Sequence, residues 1–164
     1  VPKSIVSQKV SLDGQPVAFA VATDGTGHEA QAAAQAFPDL PGDVDPLLTV
    51  PLIRLAWARS GDKGNLFNVA VIAREAEFLP YIAAALTPEA VGAHYGKVLG
   101  HGTALAVDRF SVPGFFALNF LVKNSMDGGI LASTSLDCVA KGRAQLLLDY
   151  PVPVSAALRR RLDE

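Results

Sequence analysis

Cysteine is nearly absent from this sequence, since Cys138 is the only one among 164 residues. A single cysteine excludes an internal disulfide framework and a cysteine-rich zinc site, and it fits a reducing compartment. No apolar run reaches the roughly 18 residues that span a membrane, and no basic segment followed by an apolar one forms a leader. We therefore predict a cytoplasmic protein that has no membrane partner.

Charge is also scarce, because charged residues make up 18% of the chain and the net charge is −2. Basic residues are scattered except for the run Arg159, Arg160 and Arg161, which we interpret as the solvated end of a helix. The chain therefore lacks the basic patch that is typical of nucleic-acid-binding proteins. We predict no nucleic acid partner.

Apolar residues, by contrast, are abundant: half of the chain is hydrophobic, enough for one well-buried domain at this length. Near the N-terminus, two strand-like runs flank Asp13 and Gly14, a dipeptide that favours a tight hairpin turn. Alanine and glutamine then predict a short helix from His28 to Phe37, and prolines and aspartates over 38–50 predict a linker. Because the first residue is Val1 rather than Met, we expect a fragment or a processed form.

Polar residues are concentrated in one stretch, which runs from Arg59 to Asn65 and closes with Asn68. Residues 50–58 and 67–73 on either side are apolar and β-favourable, so the pattern predicts a hairpin with this stretch as its loop. Glycines and short polar side chains are typical of such turns. Two interpretations stay open, an anion-binding nest of main-chain N–H groups and a hairpin tip whose charges face solvent.

The chain after this loop alternates between helical and strand patterns. Apolar residues at four-residue spacing predict a helix over 75–86, and Thr87 followed by Pro88 predicts the start of a second helix. The remaining predicted elements are strands over 104–110, 115–122 and 130–136 and a helix over 138–149, followed by peripheral residues. This order predicts an α+β fold, a two-layer sandwich whose largely antiparallel sheet carries its helices on one face.

Period-two alternation assigns the residues of two strands to opposite faces of that sheet. The helices are expected to cover the more apolar face, which leaves Asn68 and Asn119 on the other one. A buried asparagine without a partner costs about 1–3 kcal/mol, so each needs water or a specific hydrogen bond. We therefore hypothesise that another subunit or an upstream domain covers this second face, with the asparagines bordering a cleft.

The histidines do not predict a metal centre. His94 and His101 are seven residues apart, and no carboxylate or third imidazole at useful spacing completes a ligand set. The glycine-rich loop also lacks the residue order of nucleotide-binding motifs. We therefore predict no metal and no cofactor.

A family resemblance is carried by the polar stretch and its flanks. Residues 55–74 resemble the ARSGDKG(D/N)xxNIGVIAR signature of the ferredoxin-like domain at the C-terminus of acyclic terpene utilisation (AtuA-like) proteins. Residues 117–120 resemble the ALNF segment of the same family, and residues 127–129 resemble its glycine turn. The resemblance covers about residues 50 to 154. Asn65 stands where the family commonly has Asp, a minor departure.

The resemblance implies a division into the tail of an upstream domain (1–37), a linker rich in proline and aspartate (38–50) and a ferredoxin-like domain (51–164). The family is associated with the breakdown of acyclic terpenes and branched acids through acyl-CoA intermediates. The implied function is an accessory domain that binds an anionic substrate, such as an acyl-CoA or a carboxylate, and aids assembly into a homo-oligomer. Two alternatives stay open, a purely structural oligomerisation module and a hydro-lyase-type enzyme domain.

The site implied by the resemblance is the glycine loop together with the two strand asparagines. Asp62 and Lys63 are the candidate catalytic residues, and Lys63 with the loop amides is expected to hold the anion. The candidate substrate-binding residues are Arg59, Ser60, Asn65, Asn68 and Asn119.

Overall fold

A computed structural model gives the structure of the chain, and it describes Ile5, residues 7–20 and residues 37–164. The chain divides into two compact units, Val1–Ala34 and Gln35–Glu164. The helix predicted from His28 to Phe37 lies outside the described residues, apart from its last residue. Within the described ranges, every helix is too short or too polar to cross a bilayer.

In the first unit, the predicted hairpin is present. Its strands, β1 (Val10–Leu12) and β2 (Gln15–Val17), pair antiparallel on either side of the expected turn. Asp13 and Gly14 both have positive φ, the combination that a two-residue hairpin turn of type I′ requires. All residues of this hairpin are exposed, so it contributes nothing to a hydrophobic core.

The second unit is an α+β domain built around one four-stranded antiparallel sheet. In chain order its elements are β3 (Val44–Pro51), a 3-10 helix (Leu52–Arg54), β4 (Ala56–Lys63), β5 (Leu66–Ala73), a 3-10 helix (Ala76–Phe78), α1 (Leu79–Ala85), α2 (Pro88–Val98), β6 (Val107–Val112), β7 (Ala117–Val122), α3 (Arg143–Leu148), β8 (Pro151–Ser155) and α4 (Ala156–Asp163). The strand order in the four-stranded sheet is β4-β5-β7-β6, and a separate pair, β3 and β8, forms a second small sheet. The predicted α+β class and ferredoxin-like arrangement are confirmed.

The first two helices lie where their sequence predicts, although the segment predicted as a helix over 75–86 begins as a 3-10 helix and becomes α1 only at Leu79. Phe78, Ile82 and Leu86, spaced four residues apart, are all buried in the core. Thr87 is the N-cap of α2, and its side-chain oxygen accepts a hydrogen bond from Ala90 N at 3.1 Å. Burial of the three apolar side chains packs the first helical segment into the core, and the cap bond stabilises the start of α2.

Among the residues that the structure describes, the helices cover one face of the four-stranded sheet and leave the other face uncovered. In β5, Phe67, Val69 and Val71 are buried, whereas Asn68 and Ala70 between them are only half-buried. We call the covered side the helix face, because its residues join the helices in one hydrophobic core. The opposite side, which holds Asn68, is the open face. The strand alternation predicted from the sequence is therefore confirmed.

Two elements predicted downstream are wrong. Residues 130–136 form turns rather than a strand, because Ala132 N and Ser133 N both donate to Gly129 O and coil the chain there. The helix predicted from residue 138 begins only at Arg143. Residues 123–142 therefore contain no helix or strand, and we call this segment the β7–α3 loop.

Residues near both ends of the second unit form more structure than expected. Residues 44–50, predicted to be a linker, form most of β3 and pair with β8. The prolines are tolerated because the register shifts between Asp45 and Thr49 and because Pro51 and Pro151 lie at strand ends. The C-terminal residues form β8 and α4, which bury side chains in the core. The wider division into tail, linker and domain stays a prediction.

Candidate functional site

The polar stretch found in the sequence forms the predicted hairpin, but most of it is strand rather than loop. Residues 59–63 belong to β4, where each pairs with a residue of β5. The turn consists of Gly64 and Asn65 alone, and Gly64 has a φ of 68°, as the first residue of a type II′ turn does. Side chains, rather than a nest of main-chain amides, are therefore the groups available along residues 59–63.

On the helix face, Ser60 binds the end of the β7–α3 loop. Its Oγ donates a hydrogen bond to Ala140 O at 2.6 Å and accepts one from Ala144 N at 2.8 Å. The main chain of Asp62 adds a third bond, since its N donates to Val139 O at 3.2 Å. These bonds fasten the loop to the edge strand of the sheet.

At the hairpin turn, Asn65 binds the beginning of the same loop. Its Oδ1 accepts a hydrogen bond from Gly128 N at 2.8 Å, and its main-chain oxygen accepts one from Ser125 N at 3.1 Å. Its Nδ2 lies 3.4 Å from Asn124 Oδ1. The hairpin therefore holds the β7–α3 loop at both ends, and two residues predicted to bind substrate, Ser60 and Asn65, make bonds within the protein.

The other predicted binding residues lie on the open face. Asn68 Nδ2 donates to Asn119 Oδ1 at 3.1 Å, so the two strand asparagines are partners of each other. Lys63 Nζ donates to the main-chain oxygen of Asp62 at 2.9 Å. Arg59 is exposed and makes no hydrogen bond or ion pair with another described residue. Because neighbouring residues of a strand alternate, the side chains of Asp62 and Lys63 point to opposite faces.

A group of polar side chains surrounds Gly61 on the open face. A Cβ atom on Gly61 would lie 3.0 Å from Lys141 Nζ, 3.9 Å from Lys63 Nζ and 4.0 Å from Asn68 Oδ1. The missing side chain thus lets two ammonium groups approach one point on the sheet. Close like charges repel each other, and an anion placed between them relieves that repulsion.

The loop that carries Lys141 is held in a defined shape. Asp137 accepts hydrogen bonds from Lys141 N at 2.8 Å and from Gly142 N at 2.9 Å. Ala140 has a φ of 52°, a left-handed conformation that costs a residue with a Cβ about 1–2 kcal/mol. Sequence reasoning missed Lys141 because it placed residues 138–149 in a helix. The signal against that helix was Gly142, which interrupts it.

Comparison with known protein families identifies the domain. The AtuA ferredoxin-like domain matches residues 50–153, well over half of the chain. The chain belongs to this family. No curated protein and no solved structure gives a significant match.

The AtuA ferredoxin-like domain also buries a cation, Arg143, at the start of α3. Arg143 is almost fully buried, with Nη2 donating to Ser135 Oγ at 3.0 Å and Nε 3.6 Å from Asp137 Oδ2. Tyr95 OH donates to Arg143 O at 2.9 Å, and burial raises the pKa of Tyr95 despite the nearby guanidinium charge. The phenol therefore stays a neutral donor, and it ties α2 to the start of α3.

In the AtuA ferredoxin-like domain, His94 has a packing role. His94 Nε2 lies 2.8 Å from Leu146 O, and its ring meets the rings of Tyr95 and Tyr150 edge-on. These contacts join α2 to α3. Among the described residues, no group of three or more histidine, cysteine or acidic side chains is arranged to hold a metal ion.

Proposed function

We propose that this AtuA ferredoxin-like domain is an accessory domain that binds an anionic small molecule, such as an acyl-CoA or a carboxylate, on its open face. The supporting observation is uncompensated positive charge. Arg59 and Lys63 lie on that face, and neither forms an ion pair with a described carboxylate. By contrast, Asp108 on the same face is already paired with Lys123 at 2.8 Å. The cations are therefore available to a ligand.

The asparagine pair supplies the neutral part of this site. The bond from Asn68 Nδ2 to Asn119 Oδ1 leaves the Nδ2 of Asn119 as a donor and the Oδ1 of Asn68 as an acceptor. A donor of this kind suits a ligand carbonyl, while the cations suit its negative charge. Ser60 and Asn65 act indirectly in this proposal, because they hold the β7–α3 loop beside the site.

Catalytic roles for Asp62 and Lys63 stay a prediction. Their side chains lie on opposite faces of an edge strand. The two residues would share a substrate only if it reached around that edge. Binding, which needs the open face alone, is the function that this geometry supports best.

Titration of coenzyme A and of butyrate into the full chain tests the binding proposal by calorimetry. Lys63→Ala removes a charge-assisted contact and is expected to weaken binding about tenfold or more. Lys97→Ala is the matched control, because Lys97 is an exposed lysine at the end of α2. The proposal is wrong if the wild type binds neither compound.

A second proposal, favoured by a different observation, is assembly through the open face. Trp57 is 53% exposed there, with the guanidinium of Arg74 4.7 Å from its ring centre, and Phe110 is exposed on the same face. Aromatic and arginine side chains are enriched in protein interfaces, and exposed apolar groups rimmed by polar ones often mark them. This arrangement supports the hypothesis that a second subunit covers the face.

Light scattering coupled to gel filtration tests that assembly. Trp57→Ser is expected to lower the mass of an oligomer toward that of the single chain. Leu47→Ser is the matched control, since Leu47 is 91% exposed but lies in β3, outside the four-stranded sheet. A wild type that is monomeric at all concentrations would remove this second proposal.

A further inference from the structure

We propose that Lys141 is the second cation of the anion site and that Ser60 is the residue that positions it. This inference rests on the anion binding proposed above and deepens it. The ligand group it names is an oxyanion seated over Gly61, between the ammonium groups of Lys63 and Lys141. The sequence motif around Gly61 would then work together with a residue 80 positions further along the chain.

The space over Gly61 is the first support. Lys141 Nζ lies 3.0 Å from the place where a Cβ on Gly61 would be, and Lys63 Nζ lies 3.9 Å from it. A methyl group at that place would meet Lys141 at a distance that real side chains rarely tolerate, so the lysine would have to move. Glycine at this position therefore admits Lys141 to the open face beside Lys63.

The second support is the number of bonds that fix the main chain around Lys141. The carboxylate of Asp137 accepts from the N of Lys141 and of Gly142. On the preceding residue, Ala140 O accepts a hydrogen bond from Ser60 Oγ at 2.6 Å. The left-handed conformation of Ala140 persists because these bonds and its full burial hold it in place. Ser60 thereby acts on the open face through the loop, although its own side chain lies on the helix face.

The third support is charge. Lys141 is exposed and has neither a hydrogen bond from its Nζ nor an ion pair within the described part of the chain. Two ammonium groups that converge on one point favour a group with at least two anionic oxygens. Phosphate and carboxylate share that chemistry. They are distinguished by the probes, which are inorganic pyrophosphate and butyrate.

The test follows binding of each probe to the full chain by nuclear magnetic resonance and calorimetry. Lys141→Met keeps the length of the side chain but removes its charge, and it is expected to weaken binding about tenfold or more. Gly61→Ala should weaken binding less than Lys141→Met, because the flexible end of the lysine needs to shift only a little to make room for the methyl group. Lys97→Met is the matched control and should bind like the wild type. The probe bound more tightly identifies the oxyanion as phosphate or carboxylate.

Two further variants examine the positioning role of Ser60. Ser60→Ala should weaken binding and abolish the probe-induced shift of the Lys141 side-chain resonances, while those of Lys63 still respond. Ser60→Thr retains the hydroxyl and should restore both. Unchanged binding in Ser60→Ala would overturn the positioning role.

The outcomes separate this inference from the proposed function. Binding of Lys141→Met within about twofold of the wild type, together with loss in Lys63→Ala, would overturn the role of Lys141 and leave the anion site standing. Failure of the wild type to bind any of pyrophosphate, butyrate and coenzyme A would overturn both. Because the Lys141 side chain is exposed, Lys141→Met is expected to fold, so the inference does not depend on the stability of Gly61→Ala.

Discussion

The two faces of the four-stranded sheet are built from alternate residues of the same strands, and they differ in composition and in contacts. On the helix face, β5 presents Phe67, Val69 and Val71 to a closed core. On the open face, the same strand presents Asn68 and Ala70 beside exposed cations. The helix face is dominated by buried apolar side chains, whereas the open face combines exposed aromatic side chains with cations that form no ion pair with a described residue.

The difference is most instructive in β4, because one short motif serves both faces. The side chains of Ser60 and Asp62 lie on the helix face. The hydroxyl of Ser60 and the main-chain N of Asp62 bind the β7–α3 loop. Arg59, Gly61 and Lys63 lie on the open face. A contiguous polar motif in a strand therefore divides into a structural half and a candidate binding half.

The largest predicted effect is a difference in unfolding free energy between two Phe→Ala substitutions, one on the helix face and one on the open face. Phe67→Ala removes a fully buried ring that meets Tyr95 edge-on at 5.0 Å, and it should cost about 3–5 kcal/mol of unfolding free energy. Phe110→Ala on the open face should cost less than about 1 kcal/mol. Urea unfolding measures both. Equal costs would contradict the assignment of the two faces.

A smaller effect is expected within the motif itself. Ser60→Ala breaks one hydrogen bond to the β7–α3 loop and one to the start of α3. It leaves Ala140 O and Ala144 N without that partner, which should cost about 1–3 kcal/mol of unfolding free energy. Arg59→Ala, one residue earlier on the open face, should change stability by no more than about 0.5 kcal/mol. Urea unfolding measures both variants. Their midpoints can be compared directly if the slope of unfolding free energy against urea concentration is unchanged. A larger loss for Arg59→Ala would reverse the division of the motif.

The asparagine pair should have a smaller effect still. Asn119→Ala removes the half-buried hydrogen bond that Asn119 accepts from Asn68. In a dilute solution of the monomer it should lower the free energy of unfolding by about 1 kcal/mol. If a second subunit covers the open face, the cost should rise with protein concentration, because the unpaired Asn68 is then buried in an interface. Thermal unfolding over a range of concentrations distinguishes the two cases. A cost independent of concentration would count against assembly through this face.

The smallest effect is expected away from both faces, where Arg161 forms ion pairs with Glu75 and Glu77. The hydrogen bond from Arg161 lowers the pKa of Glu77 in the folded protein. The stability that this ion pair contributes is therefore fully present above the pKa that Glu77 has in the unfolded chain, and it is lost as pH falls through the folded-state pKa. Arg161→Gln should lower Tm by less than about 4 °C at pH 7. The pH-dependent part of that difference should decline as pH falls below the ordinary glutamate pKa of about 4.3, and it should vanish only below the lowered folded-state pKa of Glu77. Arg160→Gln, an exposed neighbour, is the control.

Most of the fold was predictable because its signals are local. Spacing placed Phe78, Ile82 and Leu86 on one buried helix face, and Thr87 with Pro88 marked the start of α2. The prediction was wrong over residues 130–136, where apolar side chains are exposed in turns instead of paired in a strand. A strand must pair with a neighbouring strand, and the apolar pattern of a segment does not reveal whether it will do so.

The sequence by itself determined the hairpin, the α+β class and the face on which Asn68 and Asn119 lie, because periodicity and turn chemistry act over a few residues. The family was indicated separately, by the resemblance of residues 55–74 to the AtuA-like signature. Only the tertiary structure decided that Ser60 and Asn65 bind the β7–α3 loop and that Lys141 lies beside Gly61. Those contacts join residues about 60 to 80 positions apart in the chain. They depend on how the loop folds back over the sheet, which no local pattern encodes.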